Sequence, residues 1–526
     1  MLLKHIYISC TLLVLSAFAL SCSHSTASQA SARKEIVHKY SPDELREDFD
    51  VMRNILEKFH PSLYWYTSKD SMDMLFNAYR AAIRDSMTQQ QFGFSVLAPI
   101  TTAIRCGHTS FSFSKKYNEG MRGLRLPSFP LFLKVYEDSM IVLGNLNRKD
   151  SAIRRGTTIM GIDGQSVEQI SNTMFRYMPT DGFANNINYI RLSNNFPYYH
   201  RNIYGLKKTY QVNYIDSLGQ IKLATVPLYE PAADTLNRPK RDSTVRAPRP
   251  PKPSRSQRMK DIRSLQYIAP GNSIPSASKI PGGTMVMTLN SFDGHANLPG
   301  FFRRSFRLMR EQKVTNLVID IRSNGGGKVN HYTRLASYLK AEKFRVADSA
   351  YAVRKGFGSY GKYFSMRTLN AIALGMFTTK RDDGNYHFKY WEKHVVKPRK
   401  KDFFTGKAYV VISGPTFSAS TLFAHTMKGQ QNVTLVGEET GGGAYGNNGL
   451  MIPNITLPNT AIRVRIPLFR LVQYQHGPKD GKGVTPDVNV GPSGIAAVNN
   501  IDLKMKAVLQ LIQSSNGERI PVAQER

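Results

Sequence analysis

Ser418 stands where a hydroxyl could act as a nucleophile. It lies in Gly414-Pro415-Thr416-Phe417-Ser418-Ala419-Ser420-Thr421. Ahead of it, Ala408-Tyr409-Val410-Val411-Ile412 is a short apolar, β-branched run of the kind that forms a buried strand. Gly414 and Pro415 break that run, and Leu422 to Met427 continues at helical spacing. The start of a helix presents unpaired backbone amides and the positive end of the helix dipole, so negative charge growing on an attacked carbonyl would be stabilised there. A serine in that place is also an ordinary N-cap, and the rest of the chain has to separate the two.

A second run invites chemistry. Arg322-Ser323-Asn324-Gly325-Gly326-Gly327-Lys328 comes directly after the apolar segment Asn316–Ile321. Glycines after a strand let the backbone turn sharply and bring its amides close to a ligand, as in a phosphate loop or an oxyanion hole. The Gly-Lys-Ser/Thr of a phosphate loop is absent. Gly441-Gly442-Gly443-Ala444-Tyr445-Gly446 fits a dinucleotide pattern on paper, but the residues after it read as strand rather than helix. Histidines are scattered with no HExxH, which disfavours a metal hydrolase, so neither metal nor cofactor is expected. Cys106 beside His108 is too close in sequence for a thiol–imidazole pair. His425 lies two helical turns from Ser418, roughly 10 Å by helix rise.

Taken together, Asp320-Ile321-Arg322-Ser323-Asn324-Gly325-Gly326-Gly327, Thr416-Phe417-Ser418-Ala419-Ser420, Val436-Gly437-Glu438 and Gly483-Val484-Thr485-Pro486-Asp487 resemble, in this order, the tail-specific (C-terminal-processing) serine peptidases. The resemblance implies a crotonase/ClpP-like α/β core with Ser418 as nucleophile. It implies an oxyanion hole from the amides of Ala419 and the Gly326/Gly327 turn. One branch of that family uses a lysine where this chain has Gly443, and Lys428 points away along the helix. The chain is more similar to the tricorn-core branch, which uses serine, histidine and a carboxylate. Gly107-His108-Thr109 matches its histidine motif, and Asp480, just before Gly-Val-Thr-Pro-Asp, stands where a glutamate is expected. Glu438 is the reserve carboxylate. The implied activity is acyl-enzyme cleavage of unfolded or C-terminally presented polypeptides. A scaffold that binds peptides without cutting them is the rival reading.

These residues must be positioned by several units, because 526 residues exceed one compact core. The expected class is α+β multidomain. Residues 1–22 read as a signal: Lys4 and His5 precede an apolar stretch from Ile6 to Leu20, too short to span a bilayer comfortably. Ala19-Leu20-Ser21-Cys22 resembles a lipoprotein processing site, with Cys22 as the lipidated residue. That predicts an exported protein, periplasmic or anchored to the outer membrane of a Gram-negative bacterium. Only Cys106 then remains in the mature chain, so no disulfide framework and no Cys-based zinc site is expected.

A spacer (23–34) leads to a helical N-terminal domain (35–123). There Ser41-Pro42-Asp43-Glu44 is a capping box, with Leu45, Phe49, Met52 and Leu56 at helical spacing. Residues 124–230 change to short alternating runs, and Ser151 to Gly164 resembles the core of a PDZ domain, which binds peptides by strand addition. Residues 231–275 read as a basic, proline-rich linker, with nine Lys/Arg and six Pro between Pro231 and Lys260. The peptidase core comes next (276–495), then a C-terminal helix and tail (496–526). The charge of +33 comes with no zinc finger or RNA-binding signature. Attraction to an anionic membrane surface accounts for it more economically than a nucleic-acid partner, and a charge with no specific partner at all accounts for it equally.

Overall fold

The computed structural model describes residues 31–148, 150, 152–231, 254–268 and 283–515. The signal, Cys22 and most of the basic insertion lie outside the described residues. The first long helix, α1 (Pro42–Phe59), begins as its sequence dictates. The Ser41 hydroxyl accepts from the Glu44 amide, and the Glu44 carboxylate accepts from the Ser41 amide at 2.8 Å. Its apolar stripe, Leu45, Phe49, Met52, Ile55 and Leu56, is buried. Next come α2 (Lys69–Ala81) and a helical stretch, Gln89–Ala103, interrupted by a π-helical segment at Gly93–Leu97. The chain then turns at Cys106–Thr109 into a short strand, β1 (Ser110–Ser112).

The next region is an antiparallel sheet in the order β2 (Leu131–Val135), β3 (Met140–Asn145), β4 (Thr158–Ile162), β5 (Thr209–Ile215), β6 (Ile221–Pro227). Two helices, α3 (Val167–Phe175) and α4 (Asn186–Tyr204), connect β4 to β5. Alternation along β2 buries Leu131, Leu133 and Val135 in a core of their own with Phe129, Phe196 and Tyr210.

The third region is built on a six-stranded sheet. An antiparallel edge strand, β7 (Arg263–Ile268), precedes β8 (Thr284–Leu289). Then β9 (Asn316–Asp320), β11 (Lys407–Ile412), β12 (Val433–Gly437) and β15 (Val488–Asn489) continue in parallel. The parallel strands read as near-continuous apolar runs because both faces are covered. One face packs α5 (Leu298–Glu311), α6 (Val329–Ala336) and α7 (Ala419–Met427) through residues such as Phe302, Leu335 and Phe423. The other packs α8 (Leu503–Ser515) through Val508, Leu509 and Ile512. A second, five-stranded sheet includes β10 (Ala347–Ala352) and β14 (Arg470–Gln473).

Two expectations are corrected. Residues 254–268, assigned by composition to the linker, form a helix (Arg255–Ile262) and the edge strand β7, paired with β8 over six residues. An edge strand tolerates a polar, basic sequence because one side of it meets solvent. The N-terminal helices are also not a self-contained domain. Their core includes Ile455, Ile462, Val464, Ile466 and Phe469 from the far end of the chain. β1 pairs with β13 (Arg463–Arg465), Phe111 opposite Val464. Among the described residues, no helix is long and apolar enough to cross a membrane.

Candidate active site

The Ser418 segment folds as its pattern implies: β11, a turn through Ser413–Phe417, then α7 with Ser418 at the N-cap position. Ser418 does not cap the helix, since its side chain makes no cap hydrogen bond. Its φ of 54° and ψ of −124° are unusual for a residue with a β-carbon. Such strain is held in place by the surrounding structure and turns the hydroxyl out of the helix. Thr416 braces the turn by donating to the Ile321 carbonyl (3.0 Å) and accepting from the Ser413 amide (3.1 Å).

The partner arrives from 310 residues earlier. His108 Nε2 lies 3.2 Å from Ser418 Oγ, within reach of a base–nucleophile pair. The imidazole is buried against the Phe417 ring, with centroids 4.9 Å apart. Burial is the main force lowering its pKa below 6.5. Arg465 and Arg470 push the same way and Asp181 opposes them, so the ring is neutral and able to accept a proton at neutral pH.

A buried polar network holds the histidine turn. His60 Nε2 bonds Thr109 Oγ1 at 2.8 Å, and the Asn448 amide donates to Cys106 Sγ at 3.0 Å and also to Ser62. His60 is itself held neutral by burial, its pKa lowered to about 3.

The carboxylate beside the histidine is Asp181, from the loop between α3 and α4. Its Oδ1 accepts from the Gly107 amide at 2.7 Å and sits 4.0 Å from His108 Nδ1. His108 Nδ1 and Asp181 Oδ2 are both buried without a hydrogen-bond partner. The 4.0 Å gap is measured to Oδ1, which Gly107 already occupies; the carboxylate still has an unused acceptor in Oδ2 for the unpartnered Nδ1 of the ring beside it.

Asp480 is not that carboxylate. It is exposed on a turn, where Oδ1 accepts from the Lys482 amide at 2.9 Å. Its neighbour Gly481 instead backs the Asp181 loop, accepting from the Phe183 amide at 2.8 Å. Glu438 is also elsewhere, bonded to Ser413 Oγ (2.8 Å) and paired with Lys504 (2.7 Å). Asp181 carries no motif, since Thr180-Asp181-Gly182 reads as an ordinary polar turn.

The glycine turn faces Ser418. A β-carbon on Gly326 would lie 2.7 Å from Ser418 Cβ, so only glycine allows this approach. The Gly326 amide is committed to Asn324 Oδ1 at 2.9 Å, which removes it from the set of free donors. The amides of Ala419 and Gly327 have no such partner among the described residues. Gly449 has no sequence signal to mark it. A β-carbon there would lie 2.9 Å from Ser418 Oγ and 3.1 Å from His108 Nε2, so its lack of a side chain keeps the reacting space open.

Gly107 also borders a cleft of about 490 Å³ lined by Phe94, Phe111, Tyr177, Tyr198 and Arg191. The donor atoms of Cys106, His108 and Asp181 lie within 4.8 Å of one another, a metal-capable trio that cysteine counting alone does not reveal. Burial is the main force pushing the Cys106 thiol up to about 11, which keeps it protonated and unreactive.

Comparison with known proteins agrees with this core. Residues 283–490 match the model of peptidase family S41. No curated protein matches in sequence. Among solved structures, the chain is similar to mature CPAF at a TM-score of 0.59 and 13% identity, covering 92% of this chain and 99% of that one. Mature CPAF complexed with lactacystin gives 0.57 and 13%, covering 90% and 97%. Tricorn protease gives 0.39 and 12%, covering 90% of this chain and 37% of that one, a likeness too low to carry an argument about branch. At these identities the structures speak for the fold alone. The family match covers the strand–turn–helix that carries Ser418, and the chain is a serine-type peptidase whose residues 283–490 are similar to family S41.

Proposed function

We propose that this protein is an exported serine endopeptidase that works by acyl-enzyme chemistry with Ser418 and His108. The observation that carries the reading is the 3.2 Å contact between His108 Nε2 and Ser418 Oγ, made between residues 310 apart. In this mechanism His108 takes the Ser418 proton as Oγ attacks a peptide carbonyl carbon. The oxyanion accepts from the Ala419 amide at the start of α7 and from the Gly327 amide of the glycine turn before α6. His108 then returns the proton to the leaving amine and later activates water to release the acyl group. Asp181 orients the ring and stabilises the imidazolium once its 4.0 Å gap closes.

The substrates of this reading are polypeptides presented unfolded or by their C-termini. The cleft at Gly107, the residue before His108, supports it: Phe94, Phe111, Tyr177 and Tyr198 offer aromatic surface for a substrate side chain, with Arg191 and Arg465 as polar groups in the same lining. The sheet β2–β6 with its two helices serves as the PDZ-like peptide-binding unit, and a lipid on Cys22 tethers the mature chain to a membrane.

The test is labelling with a fluorophosphonate alongside turnover of an unstructured-peptide library. The expected result is modification of Ser418 and cleavage, both abolished in Ser418→Ala. Modification that survives that substitution would overturn the assignment. Peptides retained without cleavage would favour a binding scaffold instead.

A further inference from the structure

A large cleft remote from the serine is strongly basic. It has a volume of about 830 Å³ and lies between α5, α6 and the segment 394–402. Arg303 and Arg307 of α5, Arg334 of α6, and Arg399, Lys400 and Lys401 all line it. None of these six is paired with a carboxylate among the described residues. The one acidic residue in the lining, Asp402, is already held by Arg310 from outside the cleft. Arg334 Nε is buried there with no hydrogen-bond partner. Like charges gathered in a concave site repel one another and focus a positive potential into it. An unpaired guanidinium donor adds the cost of a buried polar group left unsatisfied. A multivalent anion would relieve both.

We propose that this cleft binds phosphate: a polyvalent phosphate group carried by an acidic lipid headgroup or by a soluble phosphate ester. Arginine forks match phosphate oxygens bidentately, and Lys400–Lys401 add point charges at the rim. The half-exposed Tyr390 gives the cleft an aromatic surface against which the organic part of such a ligand can rest. No residue of the Ser418–His108 site lines this cleft, so the inference stands apart from the peptidase reading.

The test uses the full chain with two probes. Pyrophosphate binding is measured by calorimetry, and sedimentation compares vesicles of phosphatidylcholine alone with vesicles containing about 20 mol % phosphatidic acid, whose phosphomonoester headgroup is polyvalent and gives a negative surface potential. The variant is Arg303→Glu with Arg307→Glu, both exposed on α5. The control is Arg354→Glu with Lys355→Glu, an equal charge change at exposed residues outside the cleft. The cleft variant should weaken pyrophosphate binding about tenfold or more while the control stays near the parent. Retention on the acidic vesicles that the cleft variant abolishes identifies a lipid headgroup as the source. Pyrophosphate binding without vesicle retention identifies a soluble ester. Equal losses in the cleft variant and the control would overturn the proposal, because the attraction would then be the general charge of the protein. Binding of neither probe would overturn it as well.

Discussion

The nucleophile side of the site and the base side are built in opposite ways. Ser418 is placed by its immediate neighbours: a buried parallel strand, a Gly-Pro turn and the first turn of a helix, all between Lys407 and Met427. His108 and Asp181 are placed by packing between regions that are remote in sequence. The histidine turn is clamped by His60, Asn448 and Asp181, and the aspartate loop is backed by Gly481. Local geometry therefore places the proposed nucleophile, whereas agreement among three regions sets the proposed base beside it.

Loss of either partner gives the largest effect. Ser418→Ala and His108→Ala should each lower kcat/KM on a peptide substrate by about 10⁴-fold or more, and the double variant should be little worse, because the two act as a unit. Additive losses would show that they do not. Asp181→Asn breaks the base side alone. It keeps the shape but removes the charge facing Nδ1, and kcat should fall about 10³–10⁴-fold with KM nearly unchanged. A loss under tenfold would mean that the histidine is oriented by its backbone network instead.

Gly449→Ala strikes the space where the two sides meet. The added methyl would crowd both reacting atoms, and kcat should drop about 10²-fold or more with thermal stability little changed. The pH profile sharpens the electrostatic part of the comparison. Burial holds His108 below 6.5, so the acid limb of kcat/KM should fall below about 6.5. Arg465→Gln, which removes one of the charges pushing the pKa down, should move that limb upward. The same shift makes the His108 contribution to stability complete above the unfolded pKa. That contribution is lost as pH falls from there through the folded pKa, because protonation then favours the unfolded chain. The smallest effect belongs to Asp480→Ala, whose carboxylate bonds only its own turn. Activity should stay within about twofold, and a loss like that of Asp181→Asn would return Asp480 to the site.

Much of this is legible from one sequence where the signal is short in range. The capping box at Ser41 and Glu44, the buried strands at Asn316 and Ala408, and the terminal helix through Val508 and Ile512 form where their patterns place them. The regions that resist such reading share a physical cause. Residues 263–268 look like linker because an edge strand needs no apolar run. The N-terminal helices look self-contained because the residues that complete their core lie some 400 positions later. Asp480 is marked out only by its position in a motif, and position along the chain does not say which way a side chain faces.

The sequence by itself determined the strand–turn–helix that exposes Ser418, the glycines that let a backbone approach it, and the Gly107-His108-Thr109 turn. Each of these depends on backbone preferences set within a few residues. Only the tertiary structure decided that Asp181, and not Asp480 or Glu438, faces the imidazole. It also decided that Gly449 keeps the reacting space open and that the Gly326 amide is spent on Asn324. Those outcomes depend on which buried atoms find partners once distant segments pack, and packing is a property of the whole chain.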